Sequence, residues 1–278
     1  VPAIKDIPGV KVHGKGKKEF VLPVGYVDAA GTVHNHMVLR EMKGTEDDIM
    51  GDDELPFGER VTAILANCCE RLGDITDKEI IKKALADELE TGLPLTEQDR
   101  TAAMIFLRRV TVGDNYKFSR TCIRCGQRAR NRSINLSTLQ IEKTVDAKQR
   151  KVKIQLPRSG TEAILSVLTA KAAAEVGKLK PTGRDAKSLA IMTRLESLGG
   201  EPLGNDGSAL QKVKDLPQAD RNVLRQTWVA MEAKVDTDVE VTCTNPICGT
   251  TWSFPLDVGQ AFFLDLEGTV EPTELTWL

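Results

Sequence analysis

Four of the six cysteines fall into two short hooks, and these are the residues whose spacing points most directly to chemistry. The first hook is Cys122-Ile123-Arg124-Cys125-Gly126, and the second is Cys243-Thr244-Asn245-Pro246-Ile247-Cys248-Gly249. A chain turning tightly between two such cysteines aims both thiolates at one ion, and the glycine that follows tolerates the backbone angles that bring amides against sulfur. Each hook supplies half of a tetrahedral site. Cys122, Cys125, Cys243 and Cys248 together predict a zinc-ribbon-like site holding one Zn2+, closed to water and structural. Iron-sulfur ligation by the same four sulfurs is the competing metal chemistry. The alternatives without metal are free thiols or a disulfide within each hook, and a reducing cytoplasm disfavours the disulfides. A redox Cys-x-x-Cys opens a helix, whereas Cys122 follows Tyr116, Phe118 and Arg120 in an alternating, strand-like run. Cys68 and Cys69 lie apart from the hooks, in Glu59 to Leu72, where Val61, Ile64, Leu65, Cys68 and Leu72 recur at helical spacing. They read as packing residues.

Little else in the chain could do covalent chemistry. The three histidines, His13, His34 and His36, crowd near the start and leave little for a nucleophile-histidine arrangement. There is no phosphate loop, no His-Glu-x-x-His and no Gly-x-Ser-x-Gly, and the expectation is a protein that is not an enzyme. With 38 Lys plus Arg against 40 Asp plus Glu, the net charge of -2 gives no global field toward nucleic acid or an anionic membrane. Any basic surface must be local. One exists around the first hook, where Lys117, Arg120, Arg124, Arg128, Arg130 and Arg132 occur with no acid between 117 and 132. Such a patch on a zinc ribbon could hold phosphates, which makes a zinc-ribbon nucleic-acid-binding protein the alternative function. The simpler reading is electrostatic: four thiolates and Zn2+ leave negative charge that nearby arginines balance. No apolar stretch approaches a membrane span and the start lacks a signal-peptide core, so the composition predicts a soluble protein made in a cytoplasm.

The elements that must position the hooks are written twice. With Cys122 set over Cys243, Leu95 falls on Leu216, Asp99 on Asp220, Arg100 on Arg221 and Thr121 on Thr242. Ala103, Leu107 and Val110 fall on Leu224, Trp228 and Met231, an apolar stripe at helical spacing. Each copy therefore reads as a helix with one buried face, then a strand ending in a hook. Thr96 suits a helix cap, and Pro217 suits a first turn. Upstream, Val21-Leu22-Pro23-Val24-Gly25 matches Gln155-Leu156-Pro157-Arg158-Ser159-Gly160, each a strand entering a turn. Second strands follow at Met37 to Met42 and Ala163 to Leu168, then helices capped by Thr45 or Thr169, then helices closing on Leu72-Gly73 or Leu198-Gly199. After the hooks come strands Arg132 to Leu136 and Thr251 to Leu256. The fold class predicted is α+β, a tandem duplication of a hairpin-helices-strand-hook unit joined by the shared four-cysteine site, with the zinc on a pseudo-two-fold axis. The boundaries are a basic N-terminal arm (1–19), a first repeat (20–143), a charged linker (144–152), a second repeat (153–256) and a C-terminal docking tail (257–278) rich in apolar residues such as Phe262, Phe263, Leu264, Trp277 and Leu278. The acidic stretch Glu46 to Glu54 and the Gly-rich stretch Gly199 to Gly207 read as exposed loops.

This order of motifs is similar to a known family. The Leu22-Pro23 strand, Leu39-Arg40-Glu41-Met42 with Thr45-Glu46-Asp47 after it, Leu95-Thr96-x-x-Asp99-Arg100 leading to Leu107-Arg108, and the Tyr116-to-Gly126 hook resemble the baseplate hub or assembly proteins of contractile-tailed, T-even-type bacteriophages. The resemblance spans roughly residues 20 to 143, its most specific parts being the hook and the helix before it. It implies a viral structural protein of the tail baseplate, made in the infected bacterial cytoplasm. It further implies partners among other baseplate proteins, in multiple copies within a symmetric assembly, with no membrane and no catalysis. The longer second hook departs from the simplest family pattern.

Overall fold

A proline and a glycine break the first hairpin, and that break fixes where the longest helix docks. In a computed structural model describing residues 18–142, 146–179, 183–256, 258 and 260–263, β1 (Lys18–Val27) pairs antiparallel with β2 (Val33–Leu39). The register shifts between Val21 and Tyr26, where Pro23 has no amide to donate and Gly25 adopts φ +95°. A side chain at Gly25 would strike Asn35 and the His34 carbonyl, so only glycine fits this crossing. The freed amides of Val24 and Gly25 both donate to Asp99, at 2.8 and 3.1 Å.

The chain continues through α1 (Gly44–Gly51) and α2 (Phe57–Cys68) into β3 (Cys69–Leu72), which completes a sheet of order β1-β2-β3. Next come α3 (Lys78–Ala86) and α4 (Glu97–Thr111), then the hairpin of β4 (Asn115–Thr121) and β5 (Arg128–Asn135), whose turn is the first hook, and the short β6 (Ile141–Glu142). A second sheet, of order β10-β9-β8-β7, is built from β7 (Lys151–Gln155), β8 (Glu162–Ser166), β9 (Leu195–Leu198) and β10 (Glu201–Pro202), with α5 (Ala170–Gly177) and α6 (Ala186–Met192) inserted before β9. Then follow α7 (Gly207–Asp215), α8 (Gln218–Met231), β11 (Lys234–Val235), the second hook hairpin of β12 (Asp238–Thr242) and β13 (Thr251–Pro255), and α9 (Gln260–Phe263). The fold is mixed α and β in several small sheets, as the α+β assignment requires.

The two sheets share local solutions. Leu39 opposite Cys69 and Leu165 opposite Leu195 each follow a register shift, and Met37 opposite Leu72 matches Ala163 opposite Leu198. Gly73 donates to the His36 carbonyl at 2.6 Å, and Gly199 donates to the Glu162 carbonyl at 2.7 Å. Asp99 near the start of α4 takes the amides of Val24 and Gly25, while Asp220 near the start of α8 takes those of Arg158 and Ser159 at 2.7 and 2.9 Å. Met42 donates its amide to Thr111 near the end of α4, and Leu168 donates to Glu232 just after α8.

Several expected details differ. Leu72-Gly73 and Leu198-Gly199 close strands, not helices, because Cys69 and Leu72, like Leu195 and Leu198, satisfy their backbones on the preceding hairpin. Thr169 caps α5 as expected, but the cap of α1 is Lys43 and not Thr45: Glu46 folds back onto the Lys43 amide at 2.9 Å. The acidic stretch is accordingly partly helical, with Glu46 buried and held by both terminal nitrogens of Arg40 at 2.9 and 3.0 Å. Within Gly199 to Gly207, β10 pairs with β9 and Asp206 caps α7. Within 144–152, Arg150 is buried and donates to the Gly25 carbonyl at 2.8 Å, and β7 begins at Lys151. Of the expected arm only Lys18 and Glu19 are described, and they open β1; of the tail, Leu264 to Leu278 lie outside the described residues.

Among the described residues two hydrophobic cores result. One gathers Leu22, Met37, Ile64, Leu65, Leu85, Met104 and Leu107 from the first sheet and its helices. It also takes Val235, Val239, Val241, Leu256, Phe262 and Phe263 from beyond α8, so the second hook hairpin packs on the first core. The other gathers Leu156, Leu165, Ile191, Met192, Val213 and Leu224. Among the described residues no helix is long and apolar enough to cross a membrane.

Candidate metal centre

Each hook is shaped by its own backbone before any ion is considered. In the first, Cys122 donates its amide to the Gln127 carbonyl at 2.8 Å, closing the turn, and Gly126 sits at φ +72°. In the second, Cys243 donates to the Thr250 carbonyl at 2.9 Å and Gly249 sits at φ +55°. Both glycines occupy the left-handed region where a side chain costs energy. The residue two after each first cysteine points its amide back at the sulfur: Arg124 to Cys122 and Asn245 to Cys243, each at 3.4 Å. Thr250 adds its hydroxyl, 3.2 Å from the Cys248 sulfur.

The hairpins meet through aromatic and polar contacts. Phe118 of β4 packs edge-on against Phe254 of β13, with ring centres 5.2 Å apart, and the Arg120 guanidinium lies over the same Phe254 ring at 4.3 Å. Arg132 donates to the Thr242 carbonyl at 3.2 Å, and the Gln127 amide reaches Thr244 at 3.3 Å. Val235 and Ile141 pair where β11 meets β6, tying the two segments at their bases.

All four predicted sulfurs converge. The Sγ atoms of Cys122, Cys125, Cys243 and Cys248 lie within 4.8 Å of one another. Cys122 lies 3.9 Å from Cys248, and Cys125 lies 3.6 Å from Cys243, so the first cysteine of each hook faces the second of the other. Four sulfurs placed about 2.3 Å from a tetrahedral Zn2+ would be separated by about 3.8 Å. The set therefore fits a zinc ion, and four thiolates leave no open coordination position for a substrate. Cys68 and Cys69 are fully buried in the first core, where burial pushes their thiols up to about 12 and about 11. They stay protonated and serve packing, as their spacing predicts.

The four sulfurs and the groups around them shift one another's protonation. The amides of Cys125 and Arg124 hold Cys122 below the usual thiol value, and the hydroxyl and amide of Thr250 bring Cys248 down to about 6. The Asn245 amide pulls Cys243 downward, yet burial and the neighbouring sulfurs of Cys125, Cys122 and Cys248 together push it up to about 12. A divalent cation bound among the sulfurs would favour their thiolate forms and displace protons.

The arginine run divides between two settings. Among the described residues, the groups bonded to the sulfurs are backbone amides and the Thr250 hydroxyl, not guanidinium groups. Arg120 and Arg132 brace the two hairpins, while Arg124, Arg128 and Arg130 are exposed. Tyr116 and Phe118, the aromatic pair available for stacking on bases, are buried. The Thr250 contact and the brace through Phe254 were missed by motif spacing. A signal for the amide contacts was present in the matched positions of Arg124 and Asn245.

No curated protein and no solved structure gives a significant match to the chain. A family model described as T4 bacteriophage base plate protein matches residues 58–200, just over half of the chain. The match runs from α2 through α4 and the first hook to the turn after β9, so it contains Cys122 and Cys125 and stops short of Cys243 and Cys248. It overlaps the region of resemblance and extends beyond it into the second sheet. The chain belongs to the family of T4 bacteriophage base plate proteins.

Proposed function

We propose that this baseplate structural protein acts through protein-protein contacts and is locked by one structural Zn2+ on Cys122, Cys125, Cys243 and Cys248. The observation that carries the reading is the convergence of four sulfurs, from hooks more than a hundred residues apart, at spacings suited to a tetrahedral ion. The metal ties the tips of two hairpins whose bases share the first core, and so holds the surfaces at the tips at one angle. Synthesis in the infected bacterial cytoplasm and residence in the tail baseplate accord with the family and with reduced cysteines.

The same proposal includes a tandem duplication, with repeats at 20–143 and 153–256 around a zinc on a pseudo-two-fold axis. Supporting it are the matched register shifts, the matched carboxylate contacts of Asp99 and Asp220, and the reciprocal facing of the hook cysteines. The nucleic-acid alternative has the exposed Arg124, Arg128 and Arg130 in its favour but has lost its stacking residues to the core.

The test is metal analysis of purified protein beside a Cys243→Ser variant. One zinc per chain is expected, without the visible absorbance of an iron-sulfur cluster. The variant should lose the ion and melt several degrees lower. Metal-free protein, or zinc retained without Cys243, would rule out the shared site.

A further inference from the structure

The end of the molecule formed by the hooks carries apolar and cationic groups together. Ile123 and Ile247 sit in the two hook turns, 75% and 97% exposed. Arg124, Arg128 and Arg130 beside them are exposed, and no acid occurs from 117 to 132 to neutralise them locally. Among the described residues none of the three joins an ion pair. Ile123 stands among these arginines, while Ile247 lies on the second hook, whose hairpin carries Asp236, Asp238 and Glu240 and no Lys or Arg. Exposed side chains of this size suit the anchors of a contact.

The surface of opposite character is on the same chain. Residues 46 to 59, covering α1 and the start of α2, include no Lys or Arg and many acids. Asp47, Asp48 and Glu54 are exposed, and Leu55 and Phe57 next to them are 37% and 44% exposed. The two surfaces thus carry opposite charge beside large apolar side chains, with Arg60 paired to Asp53 and lying over the Phe57 ring within the acidic one.

We propose that the hook end of one copy binds the acidic α1–α2 surface of a second copy, head to tail. Pairing either surface with its own copy would set arginines against arginines or aspartates against aspartates, and like charges facing each other are disfavoured, so the hook end must meet the acidic surface. Head-to-tail contacts propagate into a closed ring or a filament, because each copy keeps one free surface of each type. Reciprocal pairing about a two-fold would stop at a wild-type dimer, which would overturn the head-to-tail arrangement. The inference deepens the proposed function by naming one protein partner, and it rests on that reading only for its place in the particle.

Sedimentation velocity of the full-length protein over a range of concentrations, at about 50 mM and about 500 mM salt, tests it, since exposed ion pairs weaken as the screening length shortens. Association that grows with concentration at low salt and reverses at high salt is expected. A hook variant (Arg124→Ser, Arg128→Ser and Ile247→Ser) and a loop variant (Asp47→Ser, Asp48→Ser and Phe57→Ser) should each be monomeric alone. Mixed, they retain one intact surface of each kind and should stop at a one-to-one dimer. Melting curves matching the wild type establish that both are folded. If either triple variant unfolds, Arg128→Ser and Asp48→Ser alone should each weaken association several-fold.

A wild type that stays monomeric at low salt would overturn the proposal, as would variants that associate normally or a mixture that stays monomeric. Binding of an acidic protein or of nucleic acid at the hook end, with no self-association, would also overturn it. Because zinc content is read separately, failure here leaves the metal centre untouched, and loss of zinc with intact association would do the reverse.

Discussion

At the residue scale, two aspartates do the same work in different settings. Asp99 accepts four hydrogen bonds, from the amides of Val24, Gly25 and Thr96 and from the Thr96 hydroxyl. Burial pushes its carboxyl up against the pull of those donors. Asp220, whose burial also raises it, is held below the ordinary range by the amides of Arg158 and Ser159. Asp99→Ala strands several buried donors and should cost about 3 kcal/mol or more in urea denaturation. Asp220→Ala should cost less, and its deficit should shrink in acid. A carboxyl depressed in the folded state contributes stability above the ordinary Asp range and loses it as pH falls through the depressed value. Equal losses at the two sites, or an Asp220 deficit that grows in acid, would contradict this account. Both aspartates stood out in the sequence as aligned positions, but their targets did not, because which amides a bulge releases is decided by Pro23 and by tertiary pairing.

At the element scale, α4 was the most legible part and β3 the least. The Thr96 cap, the Asp99 that closes it and the buried stripe of Ala103, Leu107 and Val110 all follow from local pattern. In β3 the helical spacing of α2 runs on through Leu72, so periodicity alone extends the helix, and only pairing with β2 turns the chain. Glu46 and Arg150 were misjudged for a related reason: both are charged, and their burial depends on partners elsewhere. Arg108 near the end of α4 is a further case. Its buried guanidinium donates to the carbonyls of Phe262 at 2.7 Å and Gly113 at 2.9 Å, fastening α9 to the helix and to the entry of β4. Arg108→Met keeps much of the volume and removes these donors. It should cost about 2 to 4 kcal/mol and speed proteolytic cleavage after residue 256. Unchanged stability and unchanged cleavage would show that α9 is held by Phe262 packing alone.

At the scale of the whole molecule, the four clustered cysteines were legible because hooks of this kind have a characteristic local spacing. The packing of the second hook hairpin on the first core was not, since no short pattern encodes a contact between Val239 or Phe262 and residues near the start of the chain. That arrangement has a consequence for biosynthesis. The first sheet and α4 leave the ribosome early, but the side chains that finish their core, and half of the sulfur cluster, follow well over a hundred residues later. At about 5 to 20 residues per second the gap between the two hooks lasts roughly 6 to 25 s. During that interval Cys122 and Cys125 emerge beside an apolar surface whose late-arriving partners are still unmade. Nascent chains stalled with residues through 230 exposed should be cleaved readily by protease, and chains stalled with residue 263 exposed should resist it when zinc is supplied. Equal resistance in both would mean that the first core closes without its late-arriving residues.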